Sequence, residues 1–274
     1  MNDNYGVGNV RVNDDCEENA HGQPKYQISD VESIWDSIAY SKDYVRENYW
    51  SRLENQAVFQ ALLSHIGEPE GKQIIEVGSG SGLLSVALAK LGATCTLLDI
   101  SALSLKNAVA NFVNAGLPQP MYYHEDALSS SVPSEMFDVV WNAGVLEHFF
   151  DDGKERLILE MLRMAKPGGM VIILVPNAWC WQLQISKALM KVLKMWKVGF
   201  QDNMSPRRLK RVCAHIQVTN TTTYAFDVVH GWHWIPFGKR ITKLTHLETL
   251  ELHRKRSWMG ATSVLTIQKK NDEH

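Results

Sequence analysis

The sequence lacks cysteine pairs. Cys16, Cys95, Cys180 and Cys213 are scattered, with no CxxC and no Cys/His group at metal-ligand spacing. This argues against a disulfide framework and a structural zinc site, and it suits reduced thiols in a cytoplasmic protein with no metal expected. Also missing is any apolar run near the roughly 20 residues that a membrane-spanning helix needs. The opening MNDNYGVGNVRVND has neither a basic start nor an apolar stretch, so no signal peptide is expected. Charge of one sign is not in excess: 28 basic against 30 acidic residues leave a net −2, and no global attraction to nucleic acid. What remains is a chain of 274 residues, 45% apolar, long enough for one large domain with a sizeable core.

Residues 1 to 27 are polar and nearly free of large apolar side chains, so a mobile tail is expected there. From Ile28 to Ile66 the pattern is helical, with Val31, Ile34, Trp35 and Ile38 at spacings of three and four and a second stretch from about Val45. After Gly67, Pro69 and Gly71, strands alternate with helices. The strands are predicted at Gln73 to Val77, Thr94 to Ile100, Met121 to His124, Phe137 to Asn142 and Met170 to Val175. The helices fall at Leu83 to Leu91, Leu103 to Ala115 and Lys154 to Ala165. Such alternation implies a parallel sheet covered on both faces. Further on, Ser205 and Pro206 mark a helix start. Late strands are expected at Thr219 to Val228 and Ala261 to Gln268, with a helix from Lys239 to Leu252 between them.

The strongest chemical signal is Ile74-Ile75-Glu76-Val77-Gly78-Ser79-Gly80-Ser81-Gly82, an apolar strand running into a glycine-rich turn. Glycine is needed where the backbone must turn tightly and lie against a ligand. The dinucleotide fingerprint would place a glycine at position 83, which is Leu. Glu76, just before the turn, would repel a pyrophosphate and suits a ligand carrying an ammonium and a sulfonium. Asp99, 21 positions after Gly78, ends the next strand, where a carboxylate can accept from ribose hydroxyls.

With these residues the chain resembles the class I S-adenosylmethionine-dependent methyltransferases. The likeness rests on IIEVGSGSG, LLDIS, HEDAL, FDVVWNAGVLEHFFD and MLRMAKPGGMVIILVPN, across about residues 73 to 177. It implies an α/β, Rossmann-like, doubly wound, seven-stranded, mostly parallel sheet with an antiparallel last strand. It also implies a helical lid at 28 to 70 and a methyltransferase domain at 71 to 274, with a cap inserted at about 178 to 204. S-adenosylmethionine would be the cofactor. By the same resemblance Glu76, Gly78, Gly80 and Gly82 would surround its methionine end, Asp99 its ribose and Ile100 its adenine. Asp126, with Ala127 beside it, would take the adenine amino group, and Asn142 and Ala143 would line the sulfonium.

Methyl transfer from a sulfonium requires alignment and exclusion of water, and a base where the acceptor is a hydroxyl or thiol. His148, after the fourth strand, is one candidate base, though with Glu147 it can equally brace the following helix. His230 and His233, read as lying on a later loop, are rivals. Of Trp35, Tyr40, Tyr44, Tyr49 and Trp50, one or two are expected to reach the site. Between Trp179 and Trp196, apolar Ile185, Leu189, Val192 and Leu193 alternate with Lys187, Lys191 and Lys194. That stretch fits a cap over a small-molecule acceptor with an aromatic or hydrophobic part, a helix lying on an anionic membrane, or a packed amphipathic helix. Two further readings are a methyltransferase-like binding module and, disfavoured by the glycine spacing, a nicotinamide-dependent oxidoreductase.

Overall fold

The computed structural model describes residues 28–39, 49–194, 196, 200–235 and 237–271, the side chains of 28–31 and 50 excepted. The tail at 1 to 27, together with Tyr40 and Tyr44, lies outside them.

Seven strands form one sheet: β1 (Gln73–Val77), β2 (Thr94–Asp99), β3 (Met121–His124), β4 (Phe137–Ala143), β5 (Ala165–Pro176), β6 (Thr221–Phe226) and β7 (Thr262–Gln268). Their order is β3-β2-β1-β4-β5-β7-β6. β7 runs antiparallel to both neighbours, and the other pairings are parallel. The expected doubly wound sheet is therefore present. Burial on both faces explains the near-continuous apolar strands.

Side-chain alternation divides the core in two. Ile75, Val77, Val140, Ile173 and Val175 pack on one face with α5 (Asp151–Met164) and α7 (Pro206–His215). Ile74, Val139, Trp141, Ile172 and Leu174 pack on the other, with α2 (Leu53–Ile66), α3 (Leu83–Lys90) and α4 (Ala102–Asn114). Each fully buried Ile, Val or Leu contributes about 1.5–3 kcal/mol of burial energy, so both faces fix the sheet's register. The parallel strands thus present their carboxyl ends on one edge, where the chain turns at Gly78, Ile100, Glu125 and Gly144.

Three elements differ from expectation. The predicted helix from Lys239 to Leu252 is two short helices, α9 (Gly238–Leu244) and α10 (Leu250–Arg254). His246 has φ 53° between them, and the Thr249 hydroxyl caps α10 by accepting from Leu252 N–H. His230 and His233 lie not on a loop but on a further short helix, α8 (Val228–His233), whose start is capped by Asp227 accepting from His230 N–H. Before the sheet, α1 (Ile28–Ala39) is present, and the second helical stretch, expected from about Val45, includes a 3-10 turn at Tyr49–Ser51 ahead of α2. After β5 comes α6 (Trp181–Val192), inside the expected cap. Among the described residues no helix is long and apolar enough to cross a membrane.

Candidate active site

The glycine turn is built as a backbone cradle at the end of β1. Gly78 has φ 70°, and its N–H donates to Leu98 C=O at 2.7 Å. A Cβ on Gly78 would come within 2.3 Å of Val145 Cγ2, and one on Gly82 within 2.9 Å of Ala108 Cβ. Positive φ and close approach thus both require glycine at these two positions. Ser79, buried in the turn, has no hydrogen-bond partner for its hydroxyl.

Asp99 holds this turn directly. Its Oδ2 accepts from Gly80 N–H at 2.7 Å and its Oδ1 from Ser101 N–H at 2.9 Å, so the carboxylate of β2 links the cradle to the start of α4. Burial raises its pKa above the usual carboxylate range. Glu76 is also buried and accepts from the Ser85 hydroxyl at 2.5 Å. Burial pushes its pKa up to about 8. Burial thus favours the protonated form of Glu76 while no cation stands beside it.

The remaining predicted cofactor residues divide. Asp126 stands just beyond β3 and closes its own turn, accepting from Leu128 N–H at 2.9 Å, with Ala127 packed beside the core. Ile100 C=O accepts from His124 at 2.9 Å. Ala143 ends β4 at the same edge, but the side chain of Asn142 turns away toward α5, its Nδ2 3.2 Å from Met161 Sδ. The Asn142 side-chain Oδ1 has no hydrogen-bond partner.

One face of α1 lies across this edge. Glu32 meets His124 at 3.2 Å, and Asp36 accepts from the Ser101 hydroxyl at 2.5 Å. Trp35 packs edge-on against His148, with ring centroids 5.0 Å apart. Trp35, one of the aromatic residues proposed for the site, thus contacts a candidate base; Tyr40, Tyr44 and the side chain of Trp50 lie outside the described residues.

His148 closes a 3-10 turn at Leu146–His148. Its Nδ1 is 2.7 Å from Phe200 C=O, an acceptor, so Nδ1 carries the proton and Nε2 is the basic nitrogen. Burial lowers its pKa, which keeps the ring neutral. Glu147 is buried with its pKa pushed up to about 8 by that burial, and its C=O accepts from Asp202 N–H at 2.8 Å. This pair does brace something, but the partner is the chain returning from the cap rather than the following helix. Sequence reading missed the anchor of that return. Lys154, only 1% exposed, binds Asp202 at 2.6 Å and Asp151 at 3.1 Å, and Arg208 adds a 2.7 Å contact to Asp202. Nothing in the spacing marks Lys154 as buried.

His233 is committed elsewhere: its Nε2 lies 3.3 Å from Thr242 Oγ1 and 3.4 Å from Glu248. The apolar stripe of α6 stays exposed at Ile185, Leu189 and Val192, the last 79% exposed, while Gln182, Leu183 and Ser186 on its other side are buried. A groove of about 1020 Å³ between α2, β6 and α10 contains none of the predicted cofactor residues.

A seven-stranded sheet with one reversed strand, a glycine cradle after β1 and an acid ending β2 are the features in which this chain resembles the class I S-adenosylmethionine-dependent methyltransferases. Residues 75–173 match the methyltransferase domain family. A ubiquinone biosynthesis O-methyltransferase of Pseudomonas fluorescens (strain Pf0-1) is 32% identical over 146 residues, 51% of this chain and 61% of that protein. The chain thus matches less than two thirds of that relative's length. Among solved structures, an S-adenosylmethionine-dependent methyltransferase of Thermotoga maritima superposes with a TM-score of 0.60 at 17% identity, covering 87% of this chain and 99% of that one. The [4+2]-cyclase SpnF superposes with 0.55 at 16% identity, over 88% and 93%. These two likenesses concern fold alone.

Proposed function

We propose that this chain methylates a hydroxyl of a small molecule with an apolar or aromatic part, using S-adenosylmethionine, with His148 as the base. The observation that carries this reading is the pinned tautomer of His148: Nδ1–H held by Phe200 leaves Nε2 unprotonated at the carboxyl edge, beside Trp35. The ubiquinone-pathway relative acts on oxygen, which is consistent with a base at this position.

The cradle fits the donor. Its backbone admits close approach at Gly78, the Ser79 hydroxyl lacks a partner, and Glu76 and Asp99 supply carboxylates for a cationic amino acid and a ribose. When bound, the donor supplies an electrophilic methyl on a sulfonium. The protein's own part is to keep Gly80 and Ser101 in register through Asp99, to shield the edge with α1, and to receive the acceptor's proton on Nε2.

The test uses methyl-labelled S-adenosylmethionine with a metabolite extract and simple phenols. Label should appear in a small molecule, and His148→Gln should slow transfer by about 10²–10⁴-fold while S-adenosylhomocysteine affinity holds. Absence of transfer with intact cofactor binding would favour a methyltransferase-like binding module instead. One observation favours a membrane surface as the place of work: the exposed Ile185, Leu189 and Val192 lie beside Lys187 and Lys191 on α6. Anionic vesicles should therefore retain the protein, and Leu189→Glu should release it.

A further inference from the structure

A second cluster of reactive side chains lies on the same side of the sheet, where α8 leaves the end of β6 and meets the start of α2. Glu54, His230 and His233 each offer one ligand atom, and these atoms lie within 4.8 Å of one another. The Glu54 carboxylate is 3.7 Å from His230 Nδ1, too far for a hydrogen bond. Ligands around a tetrahedral zinc ion sit about 3.3–3.5 Å apart, given metal–ligand distances near 2.0–2.2 Å. The gap is thus too wide for direct pairing and close to what one shared cation requires.

The hydrogen bonds around the cluster orient His233 for the same purpose. Thr242 donates its hydroxyl to Glu248 at 2.7 Å, so it can only accept from His233 Nε2–H. The ring proton is then on Nε2, and Nδ1 keeps a lone pair. That Nδ1 is buried and without a hydrogen-bond partner, as is Nδ1 of His230. A carboxylate and hydroxyl behind the far nitrogen, with the near nitrogen free, is the outer-shell arrangement that orients metal-binding histidines. His230 requires one adjustment. Its Nε2 accepts from the Trp234 indole N–H at 3.0 Å, so coordination through Nδ1 moves the proton to Nε2 and gives up the bond to Trp234, which is 37% exposed.

We propose that Glu54, His230 and His233 bind one first-row divalent transition-metal ion of the zinc type. Two imidazoles and one carboxylate suit that class better than calcium or magnesium, which prefer all-oxygen ligands. Three protein ligands leave a coordination position open to an outside oxygen ligand. The three side chains lie near the surface, 12–23% exposed, with both Nδ1 atoms themselves buried. This proposal does not depend on methyl transfer.

The test uses the full chain, stripped by chelator and dialysed, then titrated with Zn²⁺ by calorimetry and with Co²⁺ by visible absorption. One ion per chain with a dissociation constant of about 10 µM or tighter is expected, with a tetrahedral or five-coordinate cobalt spectrum. Glu54→Gln and His233→Gln should each weaken uptake at least tenfold, and circular dichroism identifies the variants that remain folded. His215→Gln, an exposed histidine paired with Glu155, should bind as wild type does. Trp234→Phe should bind at least as tightly, because it frees the His230 tautomer. The proposal fails if the wild type takes up no stoichiometric ion, if either folded ligand variant binds like the wild type, or if Trp234→Phe binds more weakly.

Discussion

Replacing Asp99 tests the placement of the cofactor most directly. The carboxylate makes two short bonds to backbone N–H groups, at Gly80 (2.7 Å) and Ser101 (2.9 Å), and in the proposed complex it accepts from ribose hydroxyls as well. Asp99→Ala removes all of these. A hydrogen bond to a charged group contributes about 1.5–3 kcal/mol, so losing the ribose contact alone should weaken binding about 10- to 150-fold. Loss of the Gly80 bond loosens the cradle as well, so the upper end of that range is expected. Asp99→Asn keeps the shape but turns an NH₂ toward one of the two backbone donors, and should fall between Ala and wild type. Calorimetry with S-adenosylhomocysteine reads both variants, with thermal melts to confirm folding. An unchanged dissociation constant for a folded Asp99→Ala protein would show that the ribose does not lie at the end of β2.

Three other perturbations probe the surrounding frame. Gly78→Ala combines a φ of 70° with a Cβ 2.3 Å from Val145 Cγ2, so a loss of about 1–3 kcal/mol in denaturant stability is expected, partly restored by adding Val145→Ala. Lys154→Met removes the buried ammonium while Asp202 keeps Arg208, so a loss of about 1.5–3 kcal/mol is expected; a melting temperature within a degree of wild type would contradict the anchoring role of this pair. Glu76 and Glu147 are both pushed up to about 8 by burial, so the folded chain keeps protons that the unfolded chain releases near pH 4.5. Their contribution to stability is therefore complete at low pH and lost as pH climbs from about 4.5 toward 8. The ligand-free melting temperature should fall over that window, and the Glu76→Gln, Glu147→Gln double variant should flatten the slope; equal slopes would refute the assignment.

The sheet was legible because its strands are buried on both sides. Runs such as Ile74-Ile75 and Val171-Ile172-Ile173-Leu174 need no context to read as strands, and the glycine turn followed by Asp99 marks the edge that a ligand would use. The parts that escaped depend on long-range contacts. Lys154 reads as a solvated lysine until Asp202 arrives from beyond the cap, and Glu54 gives no hint of a partner until β6 delivers His230. The division of the late helix at His246 was hidden because neither glycine nor proline marks it. Ser101 could have been foreseen, since a serine directly before an apolar-periodic stretch is an ordinary helix start, and it caps α4 by accepting from Ser104 N–H at 2.9 Å.

Glu32, Trp35 and Asp36 lie within about one turn of α1, yet they reach the chain at or just beyond the ends of three different strands. A rigid rod fastened at three points along one side cannot peel away from one strand while staying on the next. Anything admitted beneath it has to wait until all three grips are released together. Exchange of spent donor for fresh should then show a single relaxation rate, sensitive to a change at any one of the three.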